Sequence, residues 1–138
     1  AIALFDKKDN SLYLVRDRMG EKPLYYGVQN GVFLFGSELK ALKKHPAFQG
    51  EIDRNSLALQ LKYNYIPTPY SIYKGIKKLT PGTILKVDAS SKYANIEAIG
   101  SPMAFWSLKE VATNAQSNIY TGNAIEAVND LDKLLSQS

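Results

Sequence analysis

The chain has 138 residues, of which 45% are hydrophobic and 22% are charged, and its formal net charge is +4. These values are ordinary for one globular domain with a sizeable core. No apolar run approaches the roughly 18–20 residues of a membrane-spanning helix, and no signal-peptide pattern is visible, so we expect a cytoplasmic protein without membrane contact.

Composition also limits the chemistry of the chain. Cysteine is absent and His45 is the only histidine, which excludes disulfides, cysteine nucleophiles and the usual zinc or copper sites. No nucleophile-elbow pattern supports a catalytic triad around His45. Lys74, Lys77 and Lys78 form the densest cationic group, which we interpret as a solvated face and not as a nucleic-acid site.

The chain begins with two predicted β-hairpins. Residues 1–5 and 11–15 are apolar and flank a polar turn. Residues 24–28 and 32–36 flank an Asn-Gly pair at 30–31, which is typical of a type I′ turn. Because these strands are almost continuously apolar, we expect both faces of the sheet to be covered.

Two short helices and a long connection are predicted next. Ser37 is the expected N-cap of a helix over 38–44, and Asp53 caps a second helix over about 54–62. Residues 63–82 contain three prolines, two glycines and four tyrosines. This composition predicts an ordered loop whose tyrosine and isoleucine side chains dock on the core.

The last third of the chain predicts one more strand and two helices. Residues 83–87 are a strand pattern, with 93–99 as its expected partner, and Trp106 is interpreted as a packed aromatic near a helix within 103–118. The final helix has a capping pair, Asn123 and Glu126. Its apolar stripe consists of Ile125, Val128, Leu131 and Leu135.

Taken from the residues alone, the chain is an α+β globular domain or fragment. An apolar strand begins at residue 1 and the last helix pattern has no C-cap signal, so we expect that both ends were cut from a longer polypeptide. Asp17 and Glu21 are close in sequence, but nothing in the pattern provides the cleft that paired catalytic carboxylates need.

The order of two long motifs is more specific. An R-D-x-x-G-x-x-P-L-Y segment occupies residues 16–25 and an S-E-x-K-A-L segment occupies 37–42, and a Y-I-P-T-P segment begins at residue 65. In this order they closely resemble the glutamine-hydrolysing asparagine synthetases, which are class II glutamine amidotransferases. The resemblance is strong over 1–87 and continues weakly to the last helix.

The resemblance implies a fold and a division of the chain. The expected fold class is α+β, a partial N-terminal-nucleophile sandwich with an antiparallel sheet, short helices and a C-terminal helix. Residues 1–87 would be the second part of a glutaminase-like domain. Residues 88–138 would be a connecting segment and the first helix leading to a synthetase domain that this chain lacks.

The resemblance also implies what the chain does not carry. Family members hydrolyse glutamine with an N-terminal cysteine and bind ATP with a Ser-Gly-Gly-x-Asp-Ser loop, and neither motif is present. We therefore expect no catalytic residue, no metal site and no cofactor in this fragment, which would be inactive alone. The parent enzyme would be an ATP-dependent ligase that uses glutamine, aspartate, ATP and magnesium.

The residues that match the family motifs are interpreted as scaffold or domain-interface residues that border the path of ammonia. Arg16 and Asp17 would fix a turn, Gly20 would permit an unusual backbone angle, and Pro23 would restrict the approach to the next strand. The matching residues are Arg16, Asp17, Gly20, Pro23, Leu24, Tyr25, Ser37 and Glu38.

Two alternative functions stay open at this point. The chain could be a non-catalytic binding or assembly module on the same scaffold, in which case exposed strand edges predict self-association. It could also come from a related amidotransferase that amidates another carboxylate acceptor, since acceptor chemistry belongs to the missing half.

Overall fold

Two antiparallel β-sheets provide most of the framework of residues 1–137, the part of the chain that this computed structural model describes. The α+β class with antiparallel strands is confirmed. The four-stranded sheet has the order β1 (Ile2–Asp6), β2 (Ser11–Arg16), β6 (Thr83–Asp88) and β7 (Met103–Ala104). The three-stranded sheet has the order β4 (Val32–Gly36), β3 (Tyr25–Gln29) and β5 (Ile76–Lys78).

Both predicted hairpins are confirmed. β1 pairs with β2 in the register Ile2 to Val15, and β3 pairs with β4 in the register Gln29 to Val32. Asn30 and Gly31 have φ values of 49° and 74°, as a type I′ turn requires.

The partner of β6 was predicted wrongly. Residues 93–99 do not form a strand; Ile96–Ile99 form a short 3₁₀ helix, capped by the Asn95 side chain, which accepts the Ala98 N–H. The strand that pairs with β6 at this edge is β7, with Ile84 opposite Met103. A two-residue strand has too few residues for a sequence pattern to reveal it.

The first two helices both begin after an N-cap residue with an extended backbone, but only one of these residues caps its helix with its side chain. In α2 (Arg54–Tyr63) the Asp53 carboxylate accepts the Asn55 N–H at 3.0 Å, so the predicted cap is confirmed. In α1 (Leu39–Leu42) the N-cap is Glu38, not Ser37, and it makes no side-chain cap bond. The predicted cap at Ser37 is therefore wrong by one position.

The core consists of two clusters on opposite faces of the three-stranded sheet. One joins that sheet to the four-stranded sheet through side chains such as Leu14, Tyr26 and Leu85. The other packs Leu34 and Ile76 against Leu42 of α1. The three-stranded sheet is consequently covered on both faces, as predicted.

The same expectation is wrong for β1, which lies at an edge of the four-stranded sheet. Ile2, Leu4 and Phe5 are 61%, 54% and 50% exposed. The loop at 63–82 is likewise only partly as expected, because Ile76 is buried in β5 whereas Tyr65 and other tyrosines remain exposed.

The chain forms two units, Ala1–Ser107 and Leu108–Ser138. The second contains α3 (Leu108–Ser117) and α4 (Ala124–Ser136), and α4 begins with the predicted capping box of Asn123 and Glu126. The boundary expected at 87/88 rests on resemblance and stays a prediction. Within the described residues, no helix combines the length and apolarity needed to cross a membrane.

Candidate functional site

The end of β2 is organised by the Arg16 side chain, which is 8% exposed. Its guanidinium donates to three backbone carbonyls: Nε to Lys22 at 3.0 Å, Nη1 to Leu79 at 2.7 Å and Nη2 to Gly20 at 2.8 Å. Two of these carbonyls belong to the adjacent turn, and the third lies 63 positions along the chain. A planar group with five N–H donors suits this arrangement, which joins the turn to the segment before β6.

Gly20 is required by the geometry of that turn. Its φ is +68°, and a Cβ placed on it would lie 2.7 Å from Pro81 Cγ and 3.0 Å from Arg16 Nη2. Any other residue would combine a strained backbone with a collision. Gly20 thus has the positive φ that the sequence predicts for it, while its role in the family motif stays a prediction.

Asp17 closes the same turn from the other side. Its Oδ1 accepts the backbone N–H of Gly20 at 2.5 Å and of Glu21 at 3.1 Å, while its carbonyl accepts the Gly82 N–H at 2.9 Å. The bond from the Glu21 N–H, reinforced by that from Gly20, holds the pKa of the Asp17 carboxyl below its usual range. We call the segment 16–24 together with these bonds the Arg16 turn.

The end of the Arg16 turn leads into the core. Leu24 is buried, and its carbonyl accepts the Leu79 N–H at 2.8 Å. Tyr25 then lines a cavity of about 180 Å³ together with Ser71 and Lys78. Burial, followed by the charge of Arg16, lowers the pKa of the Lys78 ammonium, which donates to the Ile66 carbonyl.

The S-E-x-K-A-L segment at 37–42 makes no hydrogen bonds to the Arg16 turn through its first two residues. Ser37 and Glu38 are exposed, and the Glu38 carboxylate pairs with Lys40 at 2.7 Å. Arg16, Asp17, Gly20 and Leu24 are thus brought together by hydrogen bonds, whereas Ser37 and Glu38 make no such bonds to them. The roles assigned to all eight motif residues stay predictions.

The described residues offer little reactive chemistry. His45 is exposed and its Nδ1 accepts the Ala47 N–H at 3.1 Å. In residues 1–137 no group of three or more His, Cys, Asp or Glu side chains converges as a metal site would require. The Arg16 turn can therefore position backbone and fix two segments, but it holds no nucleophile.

Among the buried side chains that sequence reasoning missed, Gln29 and Tyr26 bear most on the site. Gln29 donates to the Lys74 carbonyl at 2.7 Å and accepts the Gln49 N–H at 2.9 Å, which ties β3 to two loops. Tyr26 is 3% exposed and lines a cavity. The alternation along β3 separates Tyr26 from Tyr25 by face, and that signal was available in the sequence.

Comparison with known proteins defines the class to which this fold belongs. Residues 1–96 match the glutamine amidotransferase domain family. The chain belongs to that family.

The individual proteins to which the chain is similar are asparagine synthetases. The chain is 37% identical to asparagine synthetase (glutamine-hydrolysing) 3 of Bacillus subtilis over 103 residues, which is 71% of this chain and 17% of that protein. It is 35% identical to asparagine synthetase 1 of the same organism over 83 residues, 60% of this chain and 13% of the relative. Its similarity to asparagine synthetase 2 extends further, with 27% identity over 139 residues, 95% of this chain and 18% of the relative.

These matches confirm the resemblance to glutamine-hydrolysing asparagine synthetases that the motifs indicate. They also fix its extent, because the chain spans less than a fifth of the length of these relatives.

We predict that Arg16→Lys destabilises the chain by about 3 kcal/mol, because an ammonium cannot reach three carbonyls in different directions and leaves buried acceptors without donors. Urea unfolding followed by circular dichroism measures the change. Arg18→Lys is the matched control, since Arg18 is exposed in the same turn. Equal stability of the two variants would contradict the role given to Arg16.

Asp17 predicts a dependence of stability on pH. Because its folded pKa lies below the unfolded value of 3.8, its contribution is present above that value and is lost as the pH falls through the folded pKa. Asp17→Asn should therefore lower the unfolding midpoint at neutral pH, and its difference from the wild type should narrow below pH 3.8.

The exposed Asp132→Asn variant controls for the change in net charge. A constant difference between wild type and Asp17→Asn from about pH 7 to about pH 3 would show that the bonds to the ionised carboxylate do not matter.

Proposed function

We propose that this chain is the later part of the glutaminase domain of a glutamine-dependent asparagine synthetase. The match of residues 1–96 to the amidotransferase domain carries the proposal. In the parent reaction, glutamine and water would give glutamate and ammonia. Aspartate, ATP and that ammonia would then give asparagine, AMP and pyrophosphate.

In this proposal the Arg16 turn is a scaffold and not a reacting group. The guanidinium is fully engaged with backbone carbonyls, and the Asp17 Oδ1 is engaged with two N–H groups. Both side chains are thereby held in fixed positions beside an exposed loop, as a wall of an ammonia path or a domain interface requires. The related proposal for the fold is a partial N-terminal-nucleophile sandwich, which the shared core between the two sheets supports.

ATP and magnesium belong to the remainder of the parent in this proposal. The described residues do not fit that site, because they contain no converging group of carboxylate ligands and the sequence has no phosphate-binding glycine loop. The acceptor is proposed to be aspartate because the relatives described above are named asparagine synthetases.

A direct test separates the chain from its parent. We expect the 138-residue chain to release no more ammonia from L-glutamine than a heat-denatured sample does, since it carries no cysteine. We expect the complete natural polypeptide, given L-glutamine, L-aspartate and Mg-ATP, to produce asparagine with equal amounts of glutamate and AMP.

The assay of the chain and the assay of the complete polypeptide can each contradict part of the proposal. Ammonia release by the chain at an enzyme-like rate would contradict the silent-fragment proposal. A complete polypeptide that hydrolyses glutamine but amidates a different carboxylate would retain the family and replace aspartate as the acceptor.

A second candidate function is an assembly module, and the exposed apolar side chains of the edge strand β1 favour it. Ile2, Leu4 and Phe5 present apolar surface on an edge strand, which is a usual place for strand pairing between chains. The partner in this reading is a second copy of the chain.

We expect the chain to sediment as a dimer or larger species at micromolar concentration, and Leu4→Lys to shift it toward monomer. Leu61→Lys is the control, because Leu61 is exposed on α2 and away from the β1 edge in sequence. A wild-type chain that sediments only as a monomer would exclude this candidate.

A further inference from the structure

A cavity with both polar and apolar walls lies on one face of the three-stranded sheet, opposite to the cavity beside Lys78. Its volume is about 360 Å³, within the range of small-molecule sites. We call it the Tyr26 cavity. Its walls include Tyr26, Lys77, Thr80, Ile96, Glu97 and Ser101.

The Tyr26 hydroxyl is the first sign that this cavity takes a ligand. The residue is 3% exposed, and its ring packs in the core cluster with Ile96. Within residues 1–137 every buried side-chain oxygen or nitrogen has a hydrogen-bond partner. Among the described residues the Tyr26 hydroxyl finds no hydrogen-bond partner, so its oxygen keeps some accessible surface, and Tyr26 is one of the residues that line the cavity.

Burial also raises the pKa of the Tyr26 phenol. The hydroxyl therefore keeps its proton at neutral pH and can donate to an anionic or carbonyl oxygen.

Two opposite charges, both on partly exposed side chains, line the same cavity. Lys77 is directly across from Tyr26 in the pairing of β3 with β5, so the two side chains share one face of the sheet. The Lys77 ammonium lies 3.7 Å from the Glu97 carboxylate, an ion pair longer than a hydrogen bond. Both groups consequently retain hydrogen-bonding capacity for a third partner.

We propose that the Tyr26 cavity binds a free α-amino acid with an uncharged side chain. The ligand carboxylate would accept from the Lys77 ammonium and the Tyr26 hydroxyl, and its ammonium would donate to Glu97. Ile96, Pro69 and Pro102, which also line the cavity, would contact the side chain of the ligand.

The opposite charges of Lys77 and Glu97 disfavour ligands that carry a single charge. A lone anion, such as a phosphate, would meet the Glu97 carboxylate, and a lone cation would meet Lys77. A zwitterion satisfies both charges at once, and an α-amino acid is the smallest common molecule that carries them at this separation. The inference concerns residues outside the Arg16 turn and does not rest on the proposed function.

The test titrates the ¹⁵N-labelled 138-residue chain with L-alanine, L-valine, L-asparagine and L-glutamine, and follows amide shifts by NMR. We expect saturable shifts at residues 26, 77 and 97–101 with a millimolar dissociation constant. N-acetyl-L-alanine lacks the ammonium and L-alaninamide lacks the carboxylate, so both should bind at least tenfold more weakly than L-alanine.

Variants locate the site. Tyr26→Phe removes one hydroxyl and should weaken binding about 3- to 10-fold, whereas Tyr25→Phe, the matched control on the opposite face of β3, should leave it unchanged. Glu97→Gln should abolish the preference for L-alanine over N-acetyl-L-alanine.

Three outcomes would overturn the proposal. The first is the absence of saturation by all four amino acids at tens of millimolar. The second is equal affinity of wild type and Tyr26→Phe. The third is tighter binding of N-acetyl-L-alanine than of L-alanine, which would assign the cavity to simple carboxylates.

Discussion

The three hydrogen bonds of the Arg16 guanidinium are the constraint on which the first unit depends. They join the end of β2, the turn at 20–22 and the Leu79 carbonyl, which lies between the two sheets in sequence. Placing a cation in a nearly buried position is costly unless its donors are satisfied, and here carbonyl dipoles satisfy them in place of a carboxylate. Removing this group would leave three segments without their common partner.

The rest of the first unit follows from that junction. The Leu79 N–H donates to the Leu24 carbonyl, so the same residue is bonded from both sides and the entry to β3 is fixed. β3 then separates two environments, with Tyr26 in the core shared by the sheets and Tyr25 packed toward α1. On β5, Lys77 and Lys78 likewise point to opposite faces of the sheet. Lys77 lines the cavity that contains Tyr26, and Lys78 lines the cavity that contains Tyr25.

The residues of the Arg16 turn form bonds to backbone, and those bonds shape a loop without supplying a nucleophile. β1 and α4 both carry exposed apolar side chains. Membership of the glutamine amidotransferase family is compatible with the scaffold role that we propose for this turn.

Several features could be predicted because their causes are local. The Asn-Gly turn, the Asp53 cap and the capping box of α4 each depend on residues within three positions of one another. The motif at 16–25 indicated the family because it also depends on near neighbours: its turn has fixed backbone angles, and the positive φ at Gly20 permits few residue types there.

Other features were decided only when distant segments met. No local pattern connects Arg16 with the Leu79 carbonyl, assigns Met103 as the partner of Ile84, or places Lys77 opposite Tyr26. The apolar β1 pattern predicted a covered strand, but coverage depends on which element packs against it. The sequence by itself determined the hairpins, the caps and the family, because those follow from near neighbours; the tertiary structure alone decided the Arg16 junction and the Tyr26 cavity, because both require contacts between segments far apart in the chain.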